Sequence, residues 1–477
     1  MSIHPAPAAP LTFSALPIAI TTSSALLSSD AGLLPIRQFD ERLGFTAQLA
    51  AALDDPRDPR LIAHTGLEML RARLYGILAG YEDQNDHDAL RADPVFKLVA
   101  GRLPTDDDLA SQPTLSRWEN SVSIASLKRL RDALLDQFLA SFPAPPRQLL
   151  FDLDAVDDPA HGRQQLVLFH GYYEQYQYFP LVVTCANNDL VVMVSLRPGT
   201  AHAALGADDD LAYLVGRLRA AWPGVQIEVR GDAGFGVPWM YEACERLGLT
   251  YTFGLSSNAV LQARSAALLA RAAEQYGQSR QPQRLFDQFL YQAGPWPHAR
   301  QVVVKAEANA QGTNRRFLVT NRRGAALYPE ATYDEYIQRG ESENRNKELK
   351  RGLAGDRLSD HRFCANYFRL YLHSAALNLL VRLRQAVAVP APPVVEAPPA
   401  PEAPPAAAGE SAARRRHNAR RRRDPLGEGQ PGTWRLLLIK VAAEVVVSCR
   451  RVVVRLSGAW PYRDYYAQVC RAVQGVT

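Results

Sequence analysis

At 477 residues the chain is long enough for two or three domains with full cores, and 47% hydrophobic with 22% charged residues is the composition of a soluble globular protein. Its net charge of +5 is modest and only six of its basic residues are lysines; arginine suits phosphate, a weak pointer to nucleic acid that a GC-rich genome would also produce. Five scattered cysteines without a CxxC pair argue against a disulfide frame or zinc site, and the lack of a basic leader or an apolar run of ~20 residues argues for a soluble protein of the cytoplasm with no membrane partner.

Residues 1–145 read as mainly helical. Leu33 to Gly44 suggests a short strand or turn and then a helix stopped by Gly44, and Leu67, Leu70, Leu74, Ile77 and Leu78 recur at helical spacing. The acidic run holding Asp83, Asp86 and Asp88 lacks the glycine and terminal glutamate of a calcium loop and reads as a structural turn. Asp107 to Asn120 has the cadence of a helix–turn–helix, in which Thr114 and Ser116 could meet phosphates and Arg117 a base edge or the backbone; an ordinary capped helix pair accounts for it equally well.

The pattern changes near residue 147. Gln148 to Asp154 is an apolar strand with Asp152 and Asp154 on one face, followed by strand-like runs at 165–169 and 181–196, the second a hairpin turning at Asn187-Asn188-Asp189. A helix over 208–222 leads to a buried strand, 225–232, that ends in Asp232; a helix (238–247) and a strand (250–255) come next. Such alternation predicts a mixed sheet with helical crossovers, where acids at strand ends sit in the usual place for chemistry. A helix and two strand-like runs, 301–306 and 316–319, read as an insertion into that sheet domain. A helix over 366–386 precedes a Pro/Ala-rich stretch, 387–413, too poor in large apolar groups to fold alone. Seven arginines then fall within 414–423, either a solvated tail or a phosphate clamp. The remainder reads as a helix, a strand at 452–456 and a last helix.

Between these lies Tyr333 to Arg351, rich in Glu, Lys, Arg and Gln, which reads as one helix. At ~100° per residue, Tyr336, Arg339, Glu343 and Lys350 fall within an arc of about 60°. One carboxylate thus shares a face with a phenol and two cations, an arrangement suited to a metal ion beside a phosphodiester; a solvated surface helix laced with charge pairs is the plain alternative. With Asp154 and Asp232 at strand ends, Glu343 completes a set of three acids able to hold two magnesium ions ~4 Å apart. No glycine-rich phosphate loop precedes a Lys-Ser/Thr pair, and no nucleophile–His–acid set stands out.

The helix resembles the Y-R-E-K signature of the DDE transposases of bacterial insertion sequences, the IS-four-like superfamily, at every spacing: Tyr336, two residues, Arg339, three, Glu343, six, Lys350. Tyr81 to Arg91, Gln112 to Arg117, Asp152 to Gly162 and Arg230 to Phe235 are similar to phrases of its IS-thirteen-eighty group (transposase DDE domain group 1). The resemblance implies an α/β fold: a ribonuclease-H-like mixed-sheet catalytic core with a mostly β insertion domain and a helical N-terminal DNA-binding domain. The layout would be 1–145 for DNA binding, 146–258 and 330–386 for the core, 259–329 for the insertion, 387–424 for a linker, and 425–477 packing on the core. Asp154, Asp232 and Glu343 would be the catalytic, metal-binding triad for two Mg2+ ions, with Mn2+ as substitute. Tyr336, Arg339 and Lys350 would hold the DNA. The family's usual Thr two residues after the first aspartate is Val156 here, so Asp152 stands as a substitute for Asp154. The implied function is cut-and-paste transposition by a homodimer acting on terminal inverted repeats and target DNA. Alternatives are a metal-dependent nuclease without strand transfer and a catalytically silent DNA-binding repressor.

Overall fold

A computed structural model describes residues 16, 22–55, 57–389 and 419–475. Most of the Pro/Ala-rich stretch and the first arginines of the basic run, Arg414 to Arg416, lie outside the described residues.

Fourteen strands are numbered in chain order among the described residues: β1 (Leu26–Ser28), β2 (Gln148–Ala155), β3 (Asp158–Pro159), β4 (Leu168–His170), β5 (Gln175–Tyr178), β6 (Leu181–Cys185), β7 (Val191–Ser195), β8 (Gln226–Gly231), β9 (Thr250–Leu255), β10 (Gln283–Tyr291), β11 (Arg300–Asn309), β12 (Gly312–Thr320), β13 (Ala443–Val447) and β14 (Val452–Leu456). Eight of them form one mixed sheet in the order β10-β11-β12-β9-β8-β2-β6-β7. Its centre, β2-β8-β9, is parallel, because the helices Ala207–Ala221 and Pro238–Arg246 return the chain to the same edge. On one face of β2, Leu149, Phe151 and Leu153 are fully buried, and Phe151 meets Phe138 of the helix Ile124–Leu139. The alternate residues, Asp152 and Asp154, therefore point to the opposite face, where the helical segment after Pro329 packs.

The strands expected as an insertion continue this sheet. β12 pairs with β9 from Phe317↔Leu255 to Thr320↔Thr252, and β11 and β10 add outward as a meander. The helix Ala266–Ser279 covers them. β10 was not foreseen because its sequence, QRLFDQFLY, alternates weakly, and as the edge strand it is half exposed. The expected strand or turn at Leu33 is instead the first turn of the helix Leu33–Leu43, in which Pro35 sits early enough to lose no essential hydrogen bond.

The N-terminal helices share their core with the 25-residue helix Phe363–Val387, against which the helix Gly66–Ala79 packs. Between them Glu119, wholly buried, accepts from Arg73 at 2.7 Å and Arg369 at 2.6 Å. The segment after the basic run is equally integrated. β13 pairs with β1 across more than four hundred residues of chain, and Arg435 caps the helix Gly66–Ala79 by donating to the Ile77 and Leu78 carbonyls at 2.9 Å.

Candidate active site

β2 and β8 run parallel with Leu153 opposite Gly231. The next residue on each strand is an aspartate, so Asp154 and Asp232 stand side by side at the carboxyl ends of adjacent strands, where spacing is about 4.8 Å. Asp232 turns its loop by accepting from the Gly234 amide at 2.8 Å. That loop lies against β9 at Gly254, where a Cβ would come within 2.8 Å of the Ala233 nitrogen and 3.1 Å of the Tyr336 hydroxyl. Only glycine admits so close an approach.

The covering segment is not the single regular helix that its composition predicts. It runs as a helix Pro329–Ile337, a turn at Gln338 and Arg339, a helix Gly340–Lys347 and a π-helical turn Glu348–Gly352. The irregularities re-aim the four signature side chains. Tyr336 donates to the Gly231 carbonyl at 3.3 Å, beside Asp232. Arg339 bridges two acids, 3.6 Å from Asp154 and 2.8 Å from Glu343. Lys350, thrown outward by the wider π turn, leaves the common arc and pairs with Asp157 at 2.9 Å. Tyr336, Arg339 and Glu343 remain at one place; Lys350 lies beyond Asp154 along the chain of β2.

Asp152 and Asp154 share a face but not a fate. Arg230, the residue opposite Asp152 in the register, clamps it with two hydrogen bonds of 2.7 and 2.8 Å, and the same guanidinium donates to the Glu335 carbonyl. Both Asp152 oxygens are thereby engaged by Arg230, unlike those of Asp154. Asp154 accepts from Asn346 at 2.7 Å and more weakly from Ser342 at 3.4 Å. Neither residue was singled out from the sequence, although Asn346 follows Glu343 by three residues and so lies on its helical face. Burial drives the Asp154 carboxyl up to about 7; Arg339 opposes this, while Asp232, Glu343 and Asp152 add repulsion. The oxygen-only donor set and its mutual repulsion suit a hard divalent cation. No three His, Cys, Asp or Glu side chains among the described residues converge closely enough to ligate one ion as they stand. Arg339 already supplies the positive charge between Asp154 and Glu343.

Thr114, Ser116 and Arg117 lie on the helix Gln112–Asn120. Its Trp118 and Glu119 turn inward, Trp118 making an edge contact with Phe368 at 5.1 Å, while Arg117 is exposed and donates to its neighbour Thr114. No helix among the described residues is long and apolar enough to cross a membrane.

Residues 12–392 match the family model of the transposase DDE domain group 1. The chain belongs to that family. Its members are transposases, and DDE transposases in general use divalent metal ions. The structure is also similar to a solved piggyBac transposase synaptic complex with hairpin DNA, at 13% identity and a TM-score of 0.38, over 75% of this chain and 77% of that one. No curated protein matches the chain.

Proposed function

We propose that the chain is the cut-and-paste transposase of a bacterial insertion sequence of the IS-thirteen-eighty group, working as a homodimer in the cytoplasm on nucleoid DNA. It would hydrolyse the phosphodiesters at the element's terminal inverted repeats and join the freed 3′ ends to target DNA. The observation that supports this reading is that Asp154 and Asp232 follow paired residues of adjacent parallel strands, while Arg339 of the covering segment pairs with both Asp154 and Glu343.

These three carboxylates would hold two magnesium ions, or manganese in their place, which supply charge neutralisation and an activated oxygen for in-line phosphoryl transfer. The chain's own groups do the rest. Asn346 and Ser342 orient Asp154. Arg339, released from the carboxylates, offers its guanidinium to the scissile phosphate, and Tyr336 braces the Asp232 strand end. Lys350 contacts the neighbouring backbone beyond Asp157. Thr114, Ser116 and Arg117, along the helix Gln112–Asn120, would read the ends in a unit spanning residues 1–145, and 259–329 would form an insertion grown onto the sheet edge.

The test is magnesium-dependent cleavage of a DNA fragment that ends in the element's own inverted repeat, comparing the natural protein with Glu343→Ala. Cleavage and joining by the natural protein, with binding but no cleavage by the variant, is the expected result. Cleavage without joining would indicate a nuclease. Binding without cleavage by either protein would indicate a silent DNA-binding relic.

A further inference from the structure

Just beyond Asp154 the chain displays four exposed aromatic side chains within eight residues: Phe169, Tyr172, Tyr173 and Tyr176, with Tyr172 85% exposed. All belong to the hairpin of β4 and β5, which with β3 forms a small sheet separate from the main one. Isolated surface aromatics need no explanation, but a contiguous group does. Here the rings are ordered among themselves. His170 and Tyr172 each lie 5.0 Å from Tyr173, Tyr173 lies 5.7 Å from Phe179, and Phe169 packs on Tyr176 at 5.5 Å.

The hairpin is fixed to the candidate site by backbone. Phe179 precedes Pro180, whose carbonyl accepts from Val156, two residues after Asp154, and Tyr178 lies opposite Asp158. From the other side the Gly199 amide donates to Leu166, and a Cβ at Gly199 would come within 2.3 Å of the Leu168 and Gln177 carbonyl oxygens, so this contact admits no side chain. Tyr173 feels the acids: burial raises its phenol, and Asp157, Tyr172, Asp232 and Asp154 raise it further. A phosphodiester at the carboxylates would therefore carry its neighbouring nucleotide past these rings, with Lys350 at Asp157 in position to hold the backbone.

We propose that Tyr172 and Tyr173 form a stacking ledge for an unpaired nucleobase of the DNA strand whose phosphodiester lies at Asp154, Asp232 and Glu343. The occupant follows from chemistry and place: flat rings with polar rims, rather than aliphatic groups, beside a site for phosphate. Aromatic stacking is tolerant of sequence and adds ~10-fold or more in affinity per base. This inference rests on the DNA-cleaving reading above.

The probe is a DNA duplex with a short unpaired 3′ tail containing 5-iodouracil, set against the same duplex with blunt ends. The natural protein should prefer the tailed duplex by ~10-fold or more and photocrosslink to it within residues 168–178. Tyr172→Ala with Tyr173→Ala should lose both the preference and the crosslink, and the paired Phe replacements should keep the preference. Tyr172 is exposed enough that Tyr172→Ala alone, with an unchanged melting temperature, keeps the test valid should the double variant not fold. Equal affinity for the two duplexes, a crosslink elsewhere, or Ala variants that retain the preference would overturn the ledge while leaving metal-dependent cleavage intact. Ala variants that change only self-association would overturn it in favour of a contact between copies. Failure of the natural protein to bind or cut any DNA would remove the transposase reading as well.

Discussion

Two carboxylates deep in this protein each lean on arginine, and they behave in opposite ways. Glu119 is met by two guanidiniums; although burial works to raise it, Arg73 and Arg369 hold it down to about 2. Asp154 shares one guanidinium with Glu343 and faces Asp232 besides, and it is driven up to about 7. Charge is balanced in the first group and left in excess in the second. A satisfied network ties the N-terminal helices to the helix Phe363–Val387; an unsatisfied one lies where the proposed site would bind a cation.

That contrast predicts opposite signs for removing each acid. Glu119→Ala strands two buried arginines and should cost about 3–5 kcal/mol, read as a fall in chemical-denaturation midpoint. An unchanged midpoint would mean the triad is not what joins those helices. Asp154→Asn should instead stabilise the metal-free protein at pH 8 by about 2–4 kcal/mol while abolishing cleavage. The sign follows from linkage. The folded state holds the Asp154 proton more tightly than the unfolded chain, so its favourable contribution is complete below the ordinary carboxylate range and lost as pH rises through about 7. The advantage of the Asn variant should therefore vanish near pH 4 and shrink when magnesium is added. Melting curves across pH, with and without magnesium, would show the reverse trend if Asp154 were merely a well-paired structural acid.

Two smaller effects sharpen the comparison at the rim of the cluster. Gly254→Ala pushes on the Ala233 backbone and should cost about 1–3 kcal/mol, with a disproportionate loss of cleavage because Asp232 is displaced. Equal losses of stability and rate in a similarly destabilised core variant would remove that claim. Lys350→Gln breaks a part-exposed pair with Asp157 and should change stability by less than about 1 kcal/mol, yet weaken DNA binding and flatten its salt dependence. A salt titration of binding distinguishes this from a purely structural lysine.

Local pattern was sufficient for much of the molecule. Strand β2 with its acids, the hairpin of β6 and β7, and the strand–helix–strand run from β8 to β9 follow from periodicity and turn residues, and the structure has them within a residue or two. Strands β10 and β13 do not announce themselves, since one is an amphiphilic edge and the other acquires its partner β1 from the far end of the chain.

By itself the sequence determined which residue types end the strands and which repeat along a helix, because backbone periodicity is a local property of a few consecutive side chains. That was enough to select Asp154, Asp232 and Glu343 as candidates and to resemble the family in which the chain belongs. Only the tertiary structure decided how they are shared out. Strand register set Arg230 opposite Asp152 and left Asp154 to the helix, and a π turn, not readable in composition, carried Lys350 to Asp157. It also joined β12 to β9, so that the strands expected as an insertion continue the central sheet. These outcomes depend on pairings between residues distant in the chain, each decided by packing and charge balance that no local window contains.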